Sequence, residues 1–175
     1  METDLEFSGA TVANLYRIFA ELEDDALLGL VGERISSSSI ENSDAQTSAN
    51  VIRHRFIVNN FILISFQEEK QLLTGNFNDL SDNFVGFLRF RKNFSILMPS
   101  FNDRRIMKEL ATKKYNCIFM VANEDQSRSL GVRYNMTSFL VDKPENICQK
   151  KTNILFPCLG AKSHYRMSLD KSVSR

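Results

Sequence analysis

Two hydrophobic periods share this chain. Between residues 12 and 22, Val12, Leu15, Tyr16, Phe19 and Leu22 recur at three- and four-residue spacing. That spacing predicts an amphipathic helix, with Ser8 or Thr11 as its cap. The run ALLGLVGERI, residues 26–35, is almost continuously apolar with two glycines and predicts a buried strand. SSSSIENSDAQTSAN is polar and turn-forming and predicts a loop. VIRHRFIV alternates and NNFILISF is a second apolar run, so each predicts a strand. QEEKQLLTGNFNDLSD predicts a short helix, and residues 84–91 predict a strand. In FNDRRIMKELATKK, Ile106, Met107, Leu110 and Ala111 share one helical face, and Ser100 or Asn102 would cap it. YNCIFMVAN reads as a buried strand. LGVRYNMTSFLVD reads as an alternating strand ended by Lys143-Pro144, because proline cannot donate to a ladder. TNILFPCLG is one more short apolar piece, and the chain from Ala161 on is polar and weakly basic. Strands and helices alternate loosely without an internal repeat, which predicts one α/β domain, a mixed central sheet flanked by helices.

Composition narrows the class. The chain has 175 residues, 43% hydrophobic and 25% charged, enough to bury a sizeable core. A net charge of +1 provides no global field to recruit nucleic acid or a membrane surface. No apolar run approaches the roughly 20 residues of a membrane helix. The acidic start METDLEFSGA lacks the cationic and apolar regions of a secretory signal. Cys117, Cys148 and Cys158 are widely spaced and odd in number, so reduced thiols in a cytoplasmic or nuclear protein are expected. The sequons at Asn93 and Asn135 are accordingly expected to stay unmodified.

Candidate chemistry is sparse. The only histidines are His54 and His164, and no CxxC or glycine-rich phosphate loop occurs, so no metal and no cofactor are expected. Cys117 lies in an apolar run and reads as core. The acidic groups ELEDD and QEEK read as solvated surface. What stands out is FVGFLRFRKNF, where an apolar strand runs into Arg89, Phe90, Arg91 and Lys92. Strand alternation puts Val85, Phe87, Arg89 and Arg91 on one face and Gly86, Leu88 and Phe90 on the other. These cations could hold phosphates, with Phe90 or Phe94 stacking on bases. They could equally pair with local acids such as Asp103 or Asp82. Three cations are few for nucleic acid, whose affinity scales with the phosphates neutralised.

VGFLRFRKNFSILMPSFND resembles the metal-site segment of the MPN (JAMM) family, which in active members reads V-G-W-Y-H-S-H-P followed by Ser-x-x-Asp. Val85-Gly86 match; the two histidine positions fall on Arg89 and Arg91, and the proline on Lys92. Ser100 and Asp103 supply the Ser-x-x-Asp, one residue further on. DDALLGLVGE resembles the family's E-x-x-G-L-L-x-G strand, its general-base glutamate falling on Asp25 or Ala26. Guanidiniums offer five donors and no lone pair, so they cannot ligate zinc. The resemblance therefore implies an MPN fold over residues 1–171, a short tail at 172–175, and a pseudoenzyme whose degenerate metal-site positions are Arg89, Arg91, Ser100 and Asp103.

GFLRFRKN is also similar to the G-W-Y-R/K-F-R-R pattern of the Abraxas family, the non-catalytic MPN-minus subunits of BRISC-type and BRCA-associated deubiquitinase complexes. Arg89 and Asn93 favour the BRISC-type branch. That resemblance implies a scaffold that pairs with and activates a catalytic MPN-plus zinc deubiquitinase cleaving lysine-sixty-three-linked polyubiquitin. Other BRISC subunits are expected partners, with polyubiquitin as a further contact and no nucleic acid or membrane. The coiled coil expected after such a domain is not present in this sequence. The apolar faces Val12, Leu15, Phe19, Leu22 and Ile106, Met107, Leu110 are the expected partner surfaces. A second reading is an MPN-minus scaffold of a translation-initiation or proteasome-lid type assembly, with Arg89, Arg91 and Lys92 on RNA or an acidic partner.

Overall fold

The computed structural model describes residues 2–42, 48–92, 96–125 and 133–156, and side chains within 39–51 and at 125 are outside the description. Seven strands form one mixed sheet: β1 (Glu2–Phe7), β2 (Ala26–Asn42), β3 (Ser48–Ile64), β4 (Phe84–Arg91), β5 (Cys117–Asp125), β6 (Arg133–Val141) and β7 (Asn153–Leu155). Their order is β6-β5-β4-β2-β3-β1-β7. β2 pairs antiparallel with β3 and β4, β5 with β6 likewise, while β4–β5, β1–β3 and β1–β7 are parallel.

Three helices cover the two faces: α1 (Gly9–Glu21), α2 (Phe66–Leu73) and α3 (Phe101–Thr112). On one face α1 lays Val12, Leu15 and Phe19 onto Leu28, Leu88 and Phe90. Phe19 stacks on Phe90 with ring centroids 4.4 Å apart. On the other face α3 lays Ile106, Met107 and Leu110 onto Phe87, Phe119 and Val121, with Leu72 of α2 in the same cluster. Removing a ring from either core would cost about 3–5 kcal/mol, the transfer and cavity terms together. The seven side chains expected to face a partner therefore face this sheet: six are at most 1% exposed, and Leu22 is half-buried against the α1 core. Their helical spacing signals burial, and the protein's own sheet satisfies it.

The helix starts follow capping chemistry. Ser8 caps α1, its Oγ accepting from Thr11 N at 3.2 Å. Ser100, rather than Asn102, caps α3. β4 departs from simple alternation, because the β2–β4 register slips between Leu30 and Val31. Across that bulge Phe84 joins Phe87 on the α3 face, while Val85 turns to the α1 core instead of sharing a face with Arg89. Two glycines permit close backbone approach. A Cβ on Gly86 would lie 2.0 Å from the Ile118 carbonyl oxygen of β5, and one on Gly32 would lie 1.7 Å from that of Ile57.

Two expectations change, and one strand has no counterpart among them. The serine-rich stretch is not a loop up to residue 42, because β2 and β3 continue as one ladder from Leu27↔Ile64 to Asn42↔Ser48. VIRHRFIV and NNFILISF are a single strand, β3, rather than two. The acidic N-terminus forms β1, parallel to β3. The expected tail at 172–175, with Cys158 and residues 93 and 94, lies outside the described residues.

Candidate functional site

The basic cluster sits where β4 ends between α2 and α3. Arg89 and Arg91 are two residues apart on one strand, so both guanidiniums leave the sheet on the α3 side. Asp103 waits there as the third residue after the Ser100 cap. Its backbone N–H donates to Ser100 Oγ at 3.2 Å, and Ser100 N donates back to Asp103 Oδ2 at 3.0 Å, a reciprocal capping box. The cap thus orients the carboxylate that the arginines meet.

Both arginines converge on that carboxylate. Arg89 Nε donates to Asp103 Oδ1 at 2.8 Å, and Arg91 Nη2 donates to Oδ2 at 2.8 Å. Arg89 Nη2 also donates to Glu69 Oε1 of α2. The Asp103 side chain is 0% exposed, Arg89 10% and Glu69 18%, so water screens these contacts weakly. Burial alone would raise the Asp103 pKa; the Arg89 charge, the Ser100 N–H and the Arg91 and Arg89 hydrogen bonds outweigh it and hold the carboxyl below its ordinary value. Burial likewise opposes charge on Arg89, yet the Glu69 hydrogen bond and the Asp103 charge leave its pKa above the ordinary value. Two guanidiniums and two carboxylates make a formally neutral knot that ties β4, α2 and α3 together.

The third cation is tied elsewhere. Lys92 Nζ donates to the Leu22 carbonyl at 2.8 Å, and Lys92 N donates to Asp25 Oδ1 at 2.8 Å. Phe90 is fully buried under α1. Of the set imagined for nucleic acid, then, Arg89, Arg91 and Lys92 are engaged internally, Phe90 offers no stacking face, and Phe94 lies outside the described residues. Asp103 is an acid that both arginines meet.

Sequence reasoning missed Glu69, in the QEEK group read as solvated surface. Only the position of α2 beside α3 brings it to Arg89, so no local signal marks it. Asp25 closes the other side of the strand end, because Ala26 pairs with Phe90 across β2 and β4.

The knot has little to offer a reacting molecule. Guanidiniums present no lone pair, and both oxygens of Asp103 already accept. Elsewhere, Ser36 Oγ and His54 Nδ1 lie 2.9 Å apart across the β2–β3 ladder. Burial and the nearby Arg34 charge lower the His54 pKa, and among the described residues no carboxylate meets the imidazole to orient it as a general base. Cys117 is buried, and desolvation pushes its thiol up to about 12, an inert state. Among the described residues no cluster of three or more His, Cys, Asp or Glu side chains could hold a metal.

A scan against protein-family models matches no family, and a search of curated proteins finds none similar to this chain.

Proposed function

We propose that this chain is a non-catalytic MPN-minus scaffold of a BRISC-type deubiquitinase complex. It pairs with a zinc MPN-plus subunit and supports that subunit's cleavage of lysine-sixty-three-linked polyubiquitin. The chain itself hydrolyses nothing on this reading. The observation that carries it is the convergence of Arg89 and Arg91, alternate residues of β4, on Asp103 behind a serine cap. In an active relative of that family two histidines and an aspartate would hold zinc from the corresponding positions. Here two cations occupy the ligand face and the aspartate is their counter-ion, so ion pairing replaces coordination. The resemblance puts the general base on Asp25 or Ala26, and Asp25, beside the strand end, accepts a backbone hydrogen bond. A mixed sheet between α1 and the α2–α3 pair is compatible with an MPN domain.

The contact with the catalytic subunit has to come from apolar surface that the fold leaves open, because α1 and α3 turn their apolar faces inward. Ile62, Leu63 and Phe66 are 47%, 59% and 70% exposed around the β3–α2 junction. Exposed large side chains such as these, Ile62 and Leu63 on opposite faces of the strand, are ones that a protein partner would cover. Leu63→Glu with Phe66→Glu should abolish co-elution with the catalytic subunit while the melting temperature stays within a few degrees, since both positions are exposed. Undiminished co-elution would remove this surface from the proposal. The RNA-contacting alternative draws no support from Arg89 and Arg91, whose charges are met within the protein, and Lys92 Nζ is engaged by the Leu22 carbonyl.

A further inference from the structure

The outward face of α3 carries a different set of cations. Phe101, Arg105 and Lys108 recur at helical spacing along it, and Arg104 lies beside them. With Ile147, which follows the turn at Pro144–Asn146, and with Glu109, they line a shallow groove. Phe101 is 76% exposed, the most open of the large apolar side chains among the described residues.

This protein otherwise pairs many of its surface cations. Arg17 meets Glu21, Arg53 meets Glu2, Arg55 meets Glu6, and Lys150 meets Asp142. Arg104, Arg105 and Lys108 have no such partner among the described residues. Of the helix's own acids, Asp103 turns inward to the knot, and half-buried Glu109 is the one carboxylate in the groove's lining against three cations. The result is a positively charged stripe with an apolar anchor point at each side, Phe101 and Ile147.

We propose that this groove docks an acidic segment of a partner protein, one that carries a large apolar side chain among its carboxylates. Carboxylates would meet Arg104, Arg105 and Lys108, and the apolar side chain would cover Phe101 against Ile147. Residues 157–175 do not fit: they carry Lys162, Arg166, Lys171 and Arg175 against the single acid Asp170, so like charges would meet. Nucleic acid fits less well than an acidic peptide. Three cations neutralise few phosphates, and one ring offers one stacking platform. The inference stands apart from the deubiquitinase reading, since it uses none of the residues that carry that reading.

The test is fluorescence anisotropy with the whole chain and a labelled dodecapeptide of glutamates around a central leucine. Binding should weaken roughly tenfold or more when salt rises from low to well above physiological, as ion pairs at an exposed surface are screened. Arg105→Gln with Lys108→Gln should weaken it by a similar factor, as should Phe101→Ala; Arg17→Gln on α1 should leave it unchanged. These positions are exposed, so unchanged thermal melting verifies the fold of each variant. A peptide with leucine replaced by serine should bind more weakly than the parent. Absence of measurable binding, or binding indifferent to the α3 variants, overturns the proposal. Tighter binding of a single-stranded oligonucleotide that the same variants abolish would also overturn it, and would assign the groove to nucleic acid.

Discussion

Asp103→Asn isolates the charge at the centre of the knot. The amide keeps the shape of the carboxylate and an oxygen for the Ser100 N–H, so the α3 cap can survive. What disappears is the counter-charge for two guanidiniums, of which Arg89 is 10% and Arg91 14% exposed. An amide NH2 would also face the arginine donors, placing donor against donor. Breaking a buried ion pair from one side costs about 3–5 kcal/mol, because the remaining charge is left uncompensated. Glu69 still meets Arg89, which favours the lower half of that range. For a domain of this size each kcal/mol moves Tm by about 2–4 °C, so a loss of roughly 6–16 °C is expected. Urea unfolding followed by circular dichroism gives the free energy, and the slope m should not change. The effect also has a pH signature. The Asp103 carboxyl is held below its ordinary value in the folded state, so the unfolded chain binds more protons in acid. Its contribution is complete above the unfolded carboxylate value of about 4 and fades as pH falls through the lower folded value. The gap between wild type and Asp103→Asn should therefore be constant from neutral pH to about 5 and close in stronger acid. A variant within about 0.5 kcal/mol of wild type at neutral pH, the size of an ordinary surface substitution, would refute the reasoning.

Other expectations concern the sheet, the degenerate site and the thiols. Gly86→Ala should destabilise severely, because its Cβ would collide with the Ile118 carbonyl across the β4–β5 ladder; a urea midpoint unchanged from wild type would contradict that close approach. Arg89→His with Arg91→His should create a zinc site with Asp103 as third ligand, detected as one zinc per chain by native mass spectrometry and calorimetry; no uptake would mean that these positions do not form a metal site's geometry. Alkylation of the native protein should modify half-buried Cys148 well before Cys117, whose thiol burial pushes up to about 12; peptide mapping that shows Cys117 reacting first would overturn that order.

Where side-chain pattern decides structure, the sequence was readable. The α1 and α3 faces, the strand at Phe84–Arg91, and the stop at Lys143-Pro144 all follow from spacing and proline chemistry. β1 was missed because Glu2, Asp4 and Glu6 dominate its composition, although Thr3, Leu5 and Phe7 alternate with them and point inward. Its acids answer Arg53 and Arg55 on β3, a cross-strand complement visible only once the parallel pairing is known. The serine run looked like a loop because serine has weak strand preference; a hairpin ladder is held by backbone hydrogen bonds, which residue type does not reveal. At the site, strand alternation put Arg89 and Arg91 on one side, and Asp103 was a nameable partner for them. Glu69 was not nameable, since it is twenty residues away along the chain and reaches Arg89 only through helix packing. Burial periodicity also could not say what covers an apolar face, so Val12 to Leu22 and Ile106 to Leu110 read equally well as core or interface.

The central claim is that this chain activates a catalytic partner without chemistry of its own. The direct measurement is the cleavage rate of lysine-sixty-three-linked diubiquitin by a zinc MPN-plus deubiquitinase, with and without an equal amount of this chain. The account predicts a large rise in rate with the chain present and no cleavage by the chain alone. An unchanged rate in a mixture where the two proteins demonstrably associate, or cleavage by the chain alone, would contradict it.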